Sequence, residues 1–301
     1  MAAEFDVICV GAANLDTIVP VERVPLDDER MVSPGFLTAG GGPAATAAVT
    51  LARLGVRVAF CGVVGDDAAG RVTTALLDQD GVDIRWVRID PGASTARAVV
   101  LTSRSTGGRS IITTVAPAPS TADVPVDRSE WLHVDQIGYA ATAAAIQETG
   151  SAVRLSIDAG NPVDGLSVRG AGLYAPTLAA LFDRFDTEDV ALALQRAVAE
   201  GAERVVATAG SVGTYVGTEH GFELVPAFAV EVVSTLGAGD VFHGALLAGL
   251  VEGRDLVAST AFANAVAALS CRRIDGRTGI PTRTEADEFL ESTWASGISR
   301  G

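Results

Sequence analysis

Residues 234–250 read STLGAGDVFHGALLAGL. Gly237 and Gly239 bracket an alanine, a carboxylate follows at Asp240, and a small-residue apolar run comes next. A Gly-Ala-Gly loop that opens a helix leaves backbone N–H groups unpaired at the positive end of the helix dipole. Glycine lets an anion come close to that backbone. Asp240, at the helix start, could take a proton from a hydroxyl held beside such an anion. The other reading of the same residues is an Asp N-cap on a buried helix. A short Gly-x-Gly-Asp does not separate the two, and the rest of the chain has to.

Upstream, FDVICVGAANLD (5–16) reads as a buried strand over Phe5 to Val10 that ends in glycine and polar residues. TAGGGPAATAAVTLARLG (38–55) reads as a glycine turn and a helix from about Pro43 to Leu54, with Pro43 in the first turn and Gly55 as the stop. VRVAFCGVVG (56–65) is the next strand and DDAAGRVTTALLDQDG (66–81) the next helix. This alternation predicts a parallel sheet covered by helices. Residues 84–115 break the rhythm: IRWVRI, TARAVVLTS and RSIITTV are β-rich, divided by turn residues such as STGGR, and read as an antiparallel excursion. Alternation then returns. WLHVDQIG (131–138) and AVRLSIDAG (152–160) are strands, DTEDVALALQRAVAEG (186–201) is a helix, and ERVVATAG (203–210) and GTYVGTEHGFELVP (213–226) are strands. Two Ala-rich helices follow, roughly Asp240 to Glu252 and Leu256 to Cys271. With no repeat and no low-complexity linker, the 301 residues read as one α/β domain with a small β element.

The chain has 48% hydrophobic residues and a mean hydropathy of +0.33, ample material for a core. No run is long and apolar enough to span a bilayer. The first residues carry an acid and no basic stretch, which argues against a signal peptide. Cys9, Cys61 and Cys271 sit in apolar surroundings without metal-ligand spacing, as reduced core thiols of a cytoplasmic protein do. The net charge of −15 and pI near 4.5 disfavour nucleic acid and anionic membranes as partners. There is no lysine, so Walker-type, Schiff-base and lysine-base chemistry are excluded. An anion has to be held by arginine, backbone N–H groups or a metal.

Three blocks carry a resemblance. STLGAGDVFHGAL (234–246) resembles the C-terminal signature of the ribokinase-like sugar kinases, the phosphofructokinase-B type family. GGGPAATAAVTLARLGVRVAFCGVVGDDAAG (40–70) resembles the N-terminal signature, and VVATAGSVGTYV (205–216) the nucleotide strand-loop-strand. The blocks stand in the family's order across nearly the whole chain. The resemblance implies a three-layer α/β/α sandwich with a small β-sheet lid, here about 14–38 and 95–114, which in relatives often also forms a dimer contact. It implies transfer of the ATP γ-phosphoryl group to a sugar hydroxyl. Asp240 would be the base, and the N–H groups of Gly237, Ala238 and Gly239 would stabilise the transferring group. Asn14, Asp16, Gly41 and Gly42 would face the sugar. Thr208, Gly210 and Gly213 would line the nucleotide phosphates and ribose, Asn264 would lie near the adenine, and Gly276 and Gly279 would close the nucleotide end. Mg²⁺ would arrive with ATP, held mostly through phosphates and waters, with no protein metal ligands assigned.

The chain also departs from the family pattern. Ser234 stands where relatives carry an Asp that helps build a monovalent-cation site, so potassium activation is open. Tyr174 and Thr177 occupy the Asn-x-x-Glu positions tied to metal and phosphate handling. Pro43 and Thr46 replace two sugar-binding Asn. In motif the chain looks most like the branch with bacterial sulfofructose kinases, but its sulfonate-binding Lys, Asn and Arg fall at Arg30, Thr114 and near Ile137. Arg97 on the lid could supply a further charge to the substrate. His133, Asp135, His243 and Asp158 read as packing or as second-rank candidates. The expectation is an ATP-dependent kinase of a ketose or related small sugar. The alternatives are a sulfofructose kinase, a nucleoside kinase and a catalytically weak sugar-binding regulatory paralogue.

Overall fold

The computed structural model describes residues 3–105, 108–218 and 221–295, without the side chains of 293–295. The chain opens with β1 (Phe5–Val10), β2 (Asn14–Val21), β3 (Leu37–Gly41), α1 (Pro43–Arg53), β4 (Val58–Gly65), α2 (Ala68–Gln79) and β5 (Asp83–Asp90). It continues with β6 (Ala96–Ser103), β7 (Arg109–Thr113), β8 (Ser129–Val134), α3 (Tyr139–Thr149), β9 (Arg154–Ala159), β10 (Ala171–Pro176), α4 (Leu178–Phe185) and α5 (Val190–Glu200). It closes with β11 (Val206–Thr208), β12 (Gly213–Thr218), β13 (Gly221–Pro226), α6 (Ala238–Val251), α7 (Leu256–Ser270) and α8 (Arg283–Ala295).

The central sheet is parallel, in the order β10-β9-β8-β1-β4-β5. Single parallel bridges at Tyr174–Val205 and Thr177–Thr208 carry it on to the antiparallel set β11-β12-β13. The pleat of β1 divides its side chains between two cores. Val7 and Cys9 join α1, α6 and α7 on one face; Ile8 and Val10 join α3, α4 and α5 on the other. Helices on both faces give the three-layer sandwich expected from the sequence. Strand order reverses at β1, flanked by β4 and β8, and such a switch point opens a crevice at the carboxyl ends of the strands.

The lid is a four-stranded sheet in the order β3-β2-β6-β7. Its two hairpins, β2–β3 and β6–β7, are antiparallel, but they join through a parallel pairing of β2 with β6. The excursion read over residues 84–115 therefore begins later. Residues 84–89 lie in β5, the parallel edge strand of the central sheet, whose half-exposed pattern imitates a lid strand in the sequence. The lid's inner face carries Ile18, Ala98 and Val100 onto Leu236, with Ala39 and Ile274 beside them. This small apolar contact seats the lid over the loop that precedes α6.

Candidate active site

The loop before α6 turns at Gly237, whose φ of 73° is a left-handed conformation that favours glycine. A side chain there would also strike Gly276, so the 271–281 loop backs directly onto this turn. The N–H of Ala238 leans back to the Thr235 carbonyl at 3.3 Å, while Val241 N–H closes the first helical bond to Gly237. Gly239 faces open space. Among the described residues no backbone acceptor meets the N–H groups of Gly239 and Asp240, which leaves these two free at the helix start.

Asp240 lies in this first turn, partly exposed to the cleft but surrounded by protein. Burial, with Asp158 nearby, pushes its carboxyl up to about 7, against the pull of His243 and Arg109. A carboxylate poised near neutrality beside free N–H groups can accept a proton from a hydroxyl while an anion is held. Arg109 reaches across from β7 of the lid and donates to Thr235 Oγ1 at 2.8 Å.

Asn14 and Asp16 project from the same face of β2. Gly41, opposite Asn14 on β3, leaves room for the Asp16 carboxylate, since a Cβ there would come within 2.1 Å of Oδ2. Gly42 caps α1 at φ 94°, its hydrogen against the Ala12 carbonyl. Burial raises the Asp16 carboxyl to about 6, opposed by the charge of Arg277. Arg277 is itself 4% exposed. Its Nη2 donates to the Gly41 carbonyl at 2.9 Å and its Nε to Thr46 Oγ1 at 3.3 Å. Burial lowers this guanidinium to about 10, with Asp80, Asp16 and Asp240 opposing. Arg97 pairs with Leu15 while Asp16 pairs with Ala98, so the Arg97 side chain leaves the lid on the face away from Asp16.

Thr208, Gly210 and Gly213 line the turn between β11 and β12. Asn264, on α7, accepts from Thr214 Oγ1 at 2.8 Å and donates to the carbonyls of Val225 and Pro226. Those contacts tie α7 to β12 and β13. Gly279 lies tight against the Ser270 carbonyl, and Gly276 against Gly237. Asp275 accepts from the N–H groups of Arg277 and Thr278 and from Thr278 Oγ1, which fixes the loop between them. Tyr174 is buried in β10, Thr177 caps α4 through Ala180 N–H, and Ser234 Oγ accepts from Leu236 N–H. Among the described residues no group of three or more His, Cys, Asp or Glu side chains is placed to hold a metal ion.

Asp135 accepts four backbone N–H groups, from Ala12, Ala44, Ile137 and Gly138, at 2.8–3.2 Å. It locks the ends of β1, β8 and α1 together. His133 Nδ1 meets Ser156 Oγ at 3.0 Å, and burial, helped by His243, lowers its ring to about 4, so it is neutral. His243 is different: its Nδ1 lies 3.0 Å from Asp158 Oδ2, both side chains buried. Burial works against its charge, but Asp158 raises the imidazole above its usual range. Asp158 is in turn held below the usual carboxylate range by His243, against burial. A buried histidine–carboxylate pair thus stands behind Asp240. In the sequence His243 reads as packing, and its spacing one turn after Asp240 is the one local signal of this role. Arg277 had no signal beyond its place between two glycines already noted.

A parallel sheet with a switch-point cleft, an open helix N-terminus carrying a carboxylate and a lid over both define a phosphotransferase of small hydroxyl compounds. The chain matches the pfkB family carbohydrate kinase profile over residues 4–153 and 175–283, and it belongs to that family. It is 29% identical to the ribokinase of Bacillus subtilis, over 94% of this chain and 99% of that one. It is 30% identical to the fructokinase of Vibrio alginolyticus, over 85% and 92% respectively. The structure of Arabidopsis thaliana ribokinase complexed with ribose and ATP superposes with a TM-score of 0.82 at 25% identity, covering 97% of this chain and 99% of that one.

Proposed function

We propose that this protein transfers the γ-phosphoryl group of ATP to a hydroxyl of a ketose or related small sugar. The observation that carries the reading is Asp240: a carboxylate raised to about 7 in the first turn of α6, behind free backbone N–H groups. In this reading Asp240 takes the proton of the attacking hydroxyl, and the loop N–H groups stabilise charge on the transferring group. Asn14 and Asp16 hold the sugar beneath the lid, which excludes water while ATP is bound. Mg²⁺ comes with ATP and neutralises phosphate charge. The ATP and ribose of the Arabidopsis ribokinase complex support both ligand classes here.

A neutral sugar is favoured over a sulfonated one. Arg30 is exposed on the lid, Thr114 Oγ1 accepts from Arg97 N–H, and Ile137 N–H donates to Asp135. These positions offer one solvated cation, too little to desolvate a sulfonate.

The test is ADP release with Mg-ATP over fructose, ribose, 2-keto-3-deoxygluconate, fructose 6-phosphate, sulfofructose and adenosine. We expect turnover with a neutral sugar and its loss by at least about a thousandfold in Asp240→Asn, with sugar binding retained. Turnover with sulfofructose alone overturns the neutral-sugar reading. Unchanged turnover in the variant removes Asp240 from its role.

A further inference from the structure

Beneath the first turn of α6 lies a cluster of ionisable side chains that the phosphoryl-transfer reading leaves unused. Asp158 is on β9, His133 on β8 and His243 on α6, and they are 3%, 0% and 4% exposed. His243 Nδ1 lies 3.0 Å from Asp158 Oδ2, close but not in line for a hydrogen bond, so the two act on each other through charge. Asp158 Oδ1 accepts the Gly160 N–H at 2.8 Å. The ring of His133 stands 6.0 Å from that of His243, centroid to centroid. Asp240 precedes His243 by three residues on α6, a spacing that puts the two side chains on neighbouring parts of one helix face.

A buried pair of this kind is weak material for stability, because desolvating the charges often costs more than their attraction recovers. Its place is the informative part. Asp158 and Asp240 are two carboxylates in one enclosed space, and the charge of one disfavours the charge of the other. Two such groups hold a proton between them unless a cation joins them. A base that keeps its own proton has no room for the proton of a hydroxyl. The charged groups facing Asp240 are Asp158 from β9, His243 on α6, Asp135 just beyond β8, Arg109 from β7 of the lid and Arg277 from the loop before α8. Arg109 is engaged with Thr235, and Arg277 with Gly41 and Thr46. His133 is neutral and adds no charge. His243 is the cation in ion-pair contact with Asp158.

We infer that His243 is a positioning residue for the proton chemistry of Asp240: paired with Asp158, it balances that carboxylate and leaves Asp240 free to ionise as the base. This inference rests on the kinase reading above and adds the residue pair that its base needs. Asp240 alone meets the substrate hydroxyl. His243 and Asp158 act through their charges and pass no proton during turnover.

The experiment is the pH profile of kcat/KM, from about pH 5.5 to 9.5, with the sugar that the wild-type enzyme turns over. Wild type is run against His243→Gln, Asp158→Asn and the double variant. Glutamine keeps a polar side chain of similar size without the charge. We expect His243→Gln to move the acid limb up by about one pH unit, which lowers kcat/KM about tenfold at pH 7 and little at pH 9. Asp158→Asn should leave the limb no higher than in wild type, because the anion and the need for its cation go together. Adding Asp158→Asn to His243→Gln should bring the limb back down, a rescue that lost packing does not produce. A limb that stays near 7 in His243→Gln, with or without a uniform loss at every pH, would mean a purely structural pair and overturn the inference. So would a double variant whose limb stays as high as that of His243→Gln. If His243→Gln does not fold, wild type decides by itself. Nitrogen-15 spectra of its imidazoles should then show a histidine still doubly protonated at pH 8, and rings that are all neutral there would overturn the inference. No turnover of any sugar by wild type, with ATP bound, would sink the kinase reading itself.

Discussion

At the scale of single residues, Asp240 combines two demands that pull against each other. A base needs a proton affinity near the working pH, and burial supplies it by disfavouring the charged form. The activity of the free enzyme should therefore rise with pH through an acid limb near 7, set by Asp240, with a further fall below about 6 where Asp16 takes up a proton. The pH profile of kcat/KM checks this; a flat profile between pH 5.5 and 8 would contradict it. Stability runs the other way. A carboxyl with a raised folded-state pKa binds its proton more tightly when folded, so its contribution is full below about 4 and is lost as pH rises through about 7. Asp240→Asn, neutral throughout, should gain about 1 kcal/mol over wild type at pH 8, about 1.5–2 °C in Tm, and less at pH 5. Thermal melts at the two pH values decide it. Asp240 was readable in the sequence because its setting is local: the glycines, the carboxylate and the helix are contiguous. Arg277 was not, because its partners Gly41 and Thr46 lie at the other end of the chain and only the fold brings them together.

At the scale of elements, α1 and α6 set the position of both halves of the site. On the proposed reading α1 starts at the sugar side and α6 at the phosphoryl side, and the two helices cross closely. Gly244 of α6 sits against Ala47 of α1, where a Cβ would come within 2.6 Å of the Ala47 carbonyl oxygen. The small-residue run that follows Asp240 is thus the condition for this approach. Gly244→Val should force the helices apart, cost about 1–3 kcal/mol and lower activity by misaligning Asp240 with the sugar side. Denaturant unfolding together with kcat/KM measures both effects; an unchanged midpoint would show that the helices can part freely. The elements the sequence placed well are those with strong periodicity and glycine stops, such as α1 and α2. The sequence reads β5 into the antiparallel excursion because an edge strand is half exposed wherever it lies.

At the scale of the whole molecule, the lid's outer face remains to be covered. Val99 and Ile112 pair across β6 and β7 on the face away from Asp16 and are 42% and 72% exposed. Neighbouring apolar side chains such as Phe36 are exposed as well. A second copy of the chain, as the family resemblance leads one to expect, would bury this apolar face. Size-exclusion chromatography with light scattering should show a dimer for wild type and a monomer for Ile112→Asp; a wild-type monomer would rule this contact out. The acidic surface and the absence of lysine were plain in the composition, but they speak of solubility and of excluded chemistry. They carry no information on which face of a lid is wet.

The parallel join of β2 to β6 has one more consequence, for how the molecule folds. Each hairpin of the lid is contiguous, yet the two meet only where Asn14 comes to lie beside Ala96, after α1, β4, α2 and β5 have intervened. Closing that contact carries a loop-closure cost that nothing within either hairpin offsets. The join of the two hairpins therefore depends on the elements that lie between them in the chain, which form part of the body the lid covers. On the proposed reading, the sugar side of the cleft, with Asn14 and Asp16 on β2, is complete only once β6 has joined β2.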